Sequence, residues 1–327
     1  MTLQKYNSGF SVFDYAFFTP PPFYGKGWNI TFENYEDSGR RKISSTVNGV
    51  ENPSKTVVIN ANSLERAQYV SELIYAAECL HSGSLGLSPF YQGPEVHLID
   101  SSFTSKQESL PNVSFSGIPL YCMIAAKASF RKEFQYALFK HLASHELISS
   151  DPWSFDPTEW VPGKFVSLSV GYHVKCAYAI VIAYSVIEEL SFELRASKNN
   201  PSFIDSEWNP IVKNELEKRL KKAGINLAEL FFWTLRDTPT KIERVRQPRI
   251  QNKANWSYGK IRDGEIEIID ALAQASWLRS KVSAHKLREL ASALNYYEVH
   301  NIQWLARRLL LEKMGFWPID KVYLENK

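Results

Sequence analysis

Two residues near the C-terminal end of this 327-residue chain have side chains that together can do phosphoryl-transfer chemistry. Arg279 and His285 are separated by five residues, and Ser280 directly follows the arginine. A guanidinium can hold a phosphate through parallel hydrogen bonds, and an imidazole can take up or release a proton near neutral pH. The pair therefore has sufficient chemistry for cutting RNA.

The backbone between these two residues decides whether they can act together. In one unbroken α-helix, a separation of six residues leaves two side chains roughly 120° apart around the axis. Ser283 is a favoured N-cap residue and a helical pattern resumes over 284–294, so we expect one helix to end near Lys281 and another to begin at Ala284. The free amides of that second helix would disfavour the imidazolium and keep His285 available as a neutral base.

Arg279, the polar Ser280 and His285 resemble the signature of the HEPN superfamily, in which an arginine and a following polar residue precede a histidine in a small all-α bundle. The resemblance implies metal-independent RNA cleavage without a cofactor, at a site shared by the two protomers of a homodimer. Arg279 would bind the scissile phosphate, and His285 would act as general acid or base during attack by the ribose 2′-hydroxyl. The implied products are a 2′,3′-cyclic phosphate or 3′-phosphate and a 5′-hydroxyl.

The resemblance also implies a biological role. HEPN ribonucleases commonly act as toxins or abortive-infection effectors, so this chain would take part in defence against phage. Its N-terminal half would then sense a phage-derived or small-molecule trigger, or hold the nuclease inactive.

Helical patterns fill most of the C-terminal half, and we predict helices over 170–196, 211–223, 226–235, 265–281, 284–294 and 297–314. The first is apolar almost all round in its middle, which is typical of a central bundle helix. Glu188 or Glu189, near its end, is expected to orient Arg279, because HEPN proteins often have an acidic residue there; the alternative is a solvated face. Arg307 and Arg308 on the last helix are expected on a polar face or at a helix end.

A basic segment over 236–262 precedes the helix that contains Arg279. Its cations would attract phosphates in a salt-dependent way, and its aromatic side chains could stack on unpaired bases. The alternative is an ordinary solvated loop. We predict that the segment binds single-stranded RNA through Arg244, Arg246, Arg249, Lys253, Trp256 and Tyr258.

The N-terminal half has a different character, with many aromatic and β-branched residues and several turn-forming residues. We predict strands over 28–32, 42–47 and 56–59 and helices over 63–80 and 120–148. The proline-rich segment around 149–162 is the best boundary. The sequence thus predicts an α+β N-terminal recognition or regulatory domain over 1–155, followed by an all-α HEPN-like helical bundle over 156–327.

Charge and cysteine content limit the cellular setting. Lys and Arg number 26 against 22 Asp and Glu over 151–327, but 12 against 13 over 1–150, so the excess positive charge lies in the C-terminal half. Three cysteines do not indicate a disulfide framework. With no signal peptide and no membrane-length apolar segment, we expect a cytoplasmic protein with no membrane partner.

One other pair of residues could bind a ligand. His141 and His145 are four positions apart on a predicted helix, but the sequence offers no third ligand at a recognisable spacing, so we predict no metal site.

Two alternatives to the nuclease remain open. The chain could be a non-catalytic HEPN-like RNA-binding or dimerisation protein, whose RNA binding would survive loss of His285. It could also be a structural or adaptor protein with no salt-dependent affinity for RNA.

Overall fold

The structure of the protein is a computed structural model that describes residues 3–12, 20–34, 44–47, 50–53, 55–83, 96–99, 117–149, 170–204, 207–233, 264–283 and 296–318. The chain forms two compact units, Met1–Leu138 and Phe139–Lys327. The predicted domain boundary at residue 155 lies outside the described residues and stays a prediction.

The N-terminal unit is built on a five-stranded sheet in which every pair of neighbours is antiparallel. The sheet order is β2-β3-β6-β1-β7, and β4 pairs separately with β5. The strands are β1 Gln4–Val12, β2 Phe23–Gly25, β3 Trp28–Asn34, β4 Ser44–Val47, β5 Val50–Pro53, β6 Lys55–Ala61 and β7 His97–Leu98.

The helices α1 (Leu64–Ser82) and α2 (Ile118–Ala128) pack against each other and contact strands of the sheet. Strand β6 lies in the middle of the sheet, and the side chains of its Val57, Val58 and Ile59 are fully buried. Helix α1 begins where predicted because Ser63 Oγ accepts a hydrogen bond from the Arg66 amide. Local signals therefore predicted the start of α1.

The single helix predicted over 120–148 is wrong. The structure has two helices, α2 and α3 (Lys132–Ser149), with a break at Ser129. The Ser129 hydroxyl donates to the Ala126 carbonyl (2.7 Å) and accepts from the Lys26 amide (2.9 Å), while the Ser129 carbonyl accepts from Gln135 Nε2 (2.8 Å). The apolar spacing of the sequence continues through this break. The contact with Lys26, more than 100 residues away in the sequence, could not be predicted from that spacing.

The C-terminal unit is mostly helical and also contains two short antiparallel strand pairs, β8 with β9 and β10 with β11. Helix α4 packs against α7 and against a π-helical segment that continues α6. The elements after α3 are α4 Val170–Glu189, β8 Phe203–Ile204, β9 Glu207–Trp208, α5 Pro210–Lys222, β10 Leu230–Trp233, β11 Gly264–Glu267, α6 Ile268–Trp277, the π-helical segment Leu278–Ser283 and α7 Tyr296–Lys313.

The helix predicted over 211–223 from start and stop signals is confirmed as α5. Asn209 Oδ1 accepts a hydrogen bond from the Ile211 amide at 3.0 Å, and Pro210 occupies the first turn. After the helix, Gly224 has a φ of +83°, in the left-handed region that glycine adopts most easily. Helix α7 also lies where it is predicted.

The helix predicted over 226–235 is wrong, and the one predicted over 265–281 begins later than expected. Residues Leu230–Trp233 form β10. This strand pairs with β11, which occupies the start of the helix predicted over 265–281. The two strands are separated by 30 residues in the sequence, so their pairing could not be deduced from local spacing.

The structure thus has a sheet region with helices at the N-terminal end and a mostly helical remainder. Whether that remainder is a HEPN-like bundle stays a prediction. Among the helices that the structure describes, none is long and apolar enough to cross a membrane.

Candidate functional site

Arg279 and Ser280 lie in the π-helical segment Leu278–Ser283. A π-helix bonds each amide to the carbonyl five residues earlier, and such turns occur often at functional sites. The predicted helix end near Lys281 is corrected here, because the α-helix ends at Trp277 and a wider helical turn continues through Ser283. The α-helical period therefore does not give the direction of Arg279.

Arg279 forms an ion pair with Glu188, on the C-terminal turn of α4. Arg279 Nη2 lies 3.2 Å from Glu188 Oε1, and the two side chains are 40% and 38% exposed. An ion pair this exposed contributes only about 0–1 kcal/mol to stability. A guanidinium has five N–H donors, so one carboxylate leaves donors for a phosphate from solvent.

The two acidic residues of the prediction have different partners. The structure brings Glu188 to Arg279, whereas Glu189 Oε1 lies 2.5 Å from Lys140 Nζ. Consecutive residues point about 100° apart on an α-helix, which explains why neighbouring glutamates contact different elements.

Beneath Arg279 lies the ring of Tyr184, one helical turn before Glu188. The guanidinium carbon is 6.0 Å from the ring centroid, at the outer limit of a cation–π interaction. Tyr184 is only 3% exposed. Burial raises the pKa of its phenol, and hydrogen bonds to the Ser276 side chain and the Leu194 backbone partly oppose that rise. Tyr184 is not among the predicted site residues, although its spacing of four from Glu188 indicates a shared helix face.

Ser280, the predicted polar supporting residue, bonds to its own helix. Its hydroxyl donates to the Ser276 carbonyl at 2.7 Å. This contact stabilises the turn on which Arg279 lies and gives Ser280 a local structural part in the site.

The other predicted site residues fall outside the described part of the chain. His285 lies in 284–295, and the RNA-binding residues Arg244, Arg246, Arg249, Lys253, Trp256 and Tyr258 lie in 234–263. Their roles stay predictions.

A second group of ionisable side chains lies inside the same unit, on α3 and α7. The rings of His141 and His145 are 4.7 Å apart, and both are buried. Burial, followed by the nearby His145 and Arg307, holds the pKa of His141 well below its usual value. Burial, with His300 and Arg307, lowers the pKa of His145 to about 3, and burial lowers that of His300 to about 4. These imidazoles are therefore neutral at physiological pH.

A hydrogen-bond chain joins α3, α4 and α7 in the same region. Gln303 Nε2 donates to Ser144 Oγ at 3.0 Å, and the Ser144 hydroxyl donates to the Ala179 carbonyl at 2.9 Å. All of these atoms are buried, so the polar side chains fix which faces of the three helices meet.

The expectation of a polar face for Arg307 and Arg308 is wrong, because these residues are only 5% and 2% exposed. Arg308 Nη2 lies 3.0 Å from Glu229 Oε2, and Arg308 Nε lies 3.5 Å from Glu312 Oε2. Arg308 also donates to the Leu230 carbonyl at 3.4 Å. These contacts join α7 to the segment that becomes β10, which gives Arg308 a structural role.

Comparison with protein-family models, with curated proteins and with solved structures found no match to this chain. The resemblance to the HEPN superfamily therefore rests on the residues from Arg279 to His285.

Proposed function

We propose that this chain is a metal-independent endoribonuclease of the HEPN type, in which Arg279 holds the scissile phosphate and His285 transfers protons. One observation carries the proposal: Arg279 lies in a π-helical turn, is exposed to solvent and is paired with Glu188 of a different helix. A solvent-facing arginine held by a carboxylate has the direction and the spare donors that phosphate binding needs.

The chemistry follows from the two side chains. Neutral His285 takes the proton of the ribose 2′-hydroxyl, and the resulting oxygen attacks the adjacent phosphorus. The bond from phosphorus to the 5′-oxygen breaks, and that oxygen leaves as a 5′-hydroxyl after taking the proton that His285 removed from the 2′-hydroxyl. Arg279 stabilises the negative charge that builds on the non-bridging oxygens in the transition state. The product is a 2′,3′-cyclic phosphate, which can hydrolyse to a 3′-phosphate.

The remaining parts of the proposal concern partners. The basic segment over 236–262 binds single-stranded RNA, and two copies of the chain form a homodimer. The N-terminal unit responds to a phage-derived or small-molecule trigger, in a toxin-like role in defence against phage. Support for this part comes from the excess of Lys and Arg in the C-terminal half and from the HEPN resemblance.

The test is an RNA cleavage assay with the full chain, total cellular RNA and excess EDTA. Wild type is compared with His285→Ala and Arg279→Ala, and the fragment ends are mapped. Arg195→Ala is the matched control, because Arg195 is also exposed (52%) and paired with carboxylates, Glu193 and Glu215, in the same unit. We expect cyclic-phosphate or 3′-phosphate ends from wild type and the control, and about 100-fold fewer or none from the two site variants.

Two results would contradict the proposal. Cleavage that stops on adding EDTA would show a metal-dependent enzyme, and equal cleavage by His285→Ala would remove the proposed proton donor and acceptor. If wild type binds RNA in a salt-dependent manner but does not cut it, the assay is repeated on residues 156–327 alone. Cleavage by that part shows a nuclease held inactive by the N-terminal half, and its absence shows the non-catalytic RNA-binding protein of the alternative.

A further inference from the structure

Tyr184, on α4, contacts both Arg279 and a residue shortly before it in the sequence. Its hydroxyl bonds to the side chain of Ser276, which lies three residues before Arg279, and to the Leu194 backbone just beyond the end of α4. Its ring lies under the Arg279 guanidinium. Tyr184 and Glu188 are four residues apart, so the two contacts with Arg279 come from one face of α4.

We infer that Tyr184 is a positioning residue that fixes the direction of Arg279 by holding the start of the π-helical segment through Ser276; this inference rests on the proposed function. Ser276 is the next-to-last residue of α6, directly before the helix widens. A hydrogen bond at this position fixes the backbone from which Arg279 projects. Glu188 then holds the far end of the same side chain.

The hydroxyl matters more than the ring for this role. A guanidinium carbon 6.0 Å from the centroid gains little from the ring of Tyr184. By contrast, a phenol that is 3% exposed must find partners for its hydroxyl, and those partners lie on two different segments of the chain. A tyrosine that only filled the core would be replaceable by phenylalanine without effect on Arg279.

Ser280 bonds to the same residue, Ser276, that the Tyr184 hydroxyl contacts. Ser280 Oγ donates to the Ser276 carbonyl, so Ser276 is bonded through its side chain to α4 and through its carbonyl to the π-helical segment. Arg279 lies between the two serines in sequence. Loss of the Tyr184 hydroxyl would therefore loosen the segment at its first turn.

The experiment is a double-mutant cycle on RNA affinity, with fluorescein-labelled single-stranded RNA of mixed sequence as the probe. The full chain carries His285→Ala throughout, so that cleavage does not interfere. Affinity is measured for Tyr184→Phe, for Arg279→Ala and for both together. Tyr178→Phe is the matched control, because Tyr178 lies on the same helix and is 60% exposed. Ser276→Ala removes the same hydrogen bond from the other side and replaces Tyr184→Phe if that variant does not fold.

We expect Tyr184→Phe to weaken RNA binding by up to about tenfold when Arg279 is present, as loss of one hydrogen bond would, and to have no effect when Arg279 is alanine. Tyr178→Phe should bind as the parent does. Equal weakening in both backgrounds would overturn the inference, because Tyr184 would then act on the fold and not through Arg279.

The cycle also separates the inference from the proposed function. Arg279-dependent binding with no effect of Tyr184→Phe would overturn only the positioning role. RNA affinity unchanged by Arg279→Ala would overturn both, since Arg279 would then not bind the phosphate.

Discussion

Arg279 and Arg308 lie in the same unit and have similar kinds of neighbours, yet their environments differ. Each pairs with a carboxylate and lies near an aromatic ring, Tyr184 for Arg279 and Trp317 for Arg308. The Arg279 side chain is 40% exposed, whereas the Arg308 side chain is 3% exposed.

The difference teaches that burial, and not the type of partner, separates an arginine available to a ligand from one used by the fold. Arg308 joins α7 to residues near β10, and loss of its charge would leave a largely buried Glu312 without its cation. Loss of the Arg279 side chain should change the free energy of unfolding little, because water can replace its partner at an exposed ion pair.

The largest expected effect is on stability, from Arg308→Met. Removing one partner of a buried ion pair leaves the other charge uncompensated and costs about 3–5 kcal/mol. Urea unfolding followed by tryptophan fluorescence should show this loss, with Arg195→Met as the exposed control. A change of less than about 1 kcal/mol would mean that Arg308 behaves like a surface arginine.

Arg279→Ala should show the opposite pattern. We expect RNA cleavage to fall by about 100-fold or more, because a donor to the transition state is lost. The free energy of unfolding should change by less than about 0.5 kcal/mol. The two quantities are measured by fragment formation and urea unfolding on the same preparation. A large loss of stability would show that Arg279 resembles Arg308.

Acid should destabilise the buried region through its histidines. The pKa values of His145 (about 3) and His300 (about 4) lie below the usual 6.5, so the unfolded state binds more protons below that pH. The contribution of these histidines to the free energy of unfolding is fully present above about pH 6.5 and is lost as the pH falls towards 4 for His300 and 3 for His145. The loss between pH 7 and 5 is about 2 kcal/mol for each histidine.

Urea unfolding at several pH values measures this effect. His145→Asn should reduce the loss between pH 7 and 5, because the group that titrates is removed. An unchanged pH dependence in His145→Asn would contradict the assignment.

The smallest expected effect distinguishes two neighbouring glutamates. Glu188→Gln should lower cleavage by about tenfold, because a charge-assisted contact with Arg279 is lost while the shape is kept. Glu189→Gln is the matched control, since Glu189 pairs with Lys140. Equal effects of the two substitutions would show that the Arg279 contact does not matter for cleavage.

Signals within a few residues of each other predicted where some helices begin and end. Asn209, Pro210 and Gly224 bracket α5, and Ser63 begins α1, because caps and left-handed turns depend on adjacent backbone. The break at Ser129 and the pairing of β10 with β11 depend on partners far along the chain, and sequence spacing does not reveal them.

The candidate site also contains features that the sequence predicts and features that depend on tertiary packing. Residue type and spacing singled out Arg279, and the HEPN resemblance suggested an acidic partner at Glu188 or Glu189. Only the packing of α4 on the π-helical segment distinguishes between the two glutamates. Arg308 was misjudged because a charged residue is usually exposed, and its burial depends on Glu229 and Glu312 closing around it.

The last turn of α4, which contains Glu188, is held by contacts that affect how often it unfolds locally. Helix ends fray more readily than helix centres, and Glu188 is the next-to-last residue of this helix. The guanidinium of Arg219 donates to the carbonyls of Ser191 and Glu193, at 2.5 and 2.8 Å, immediately beyond that end. Amide hydrogen exchange in the last turn of α4 should therefore be slow in the wild type and faster in Arg219→Lys, since one ammonium group cannot reproduce the planar fork. Arg219, on α5, is thus expected to set how often the last turn of α4, which contains Glu188, opens.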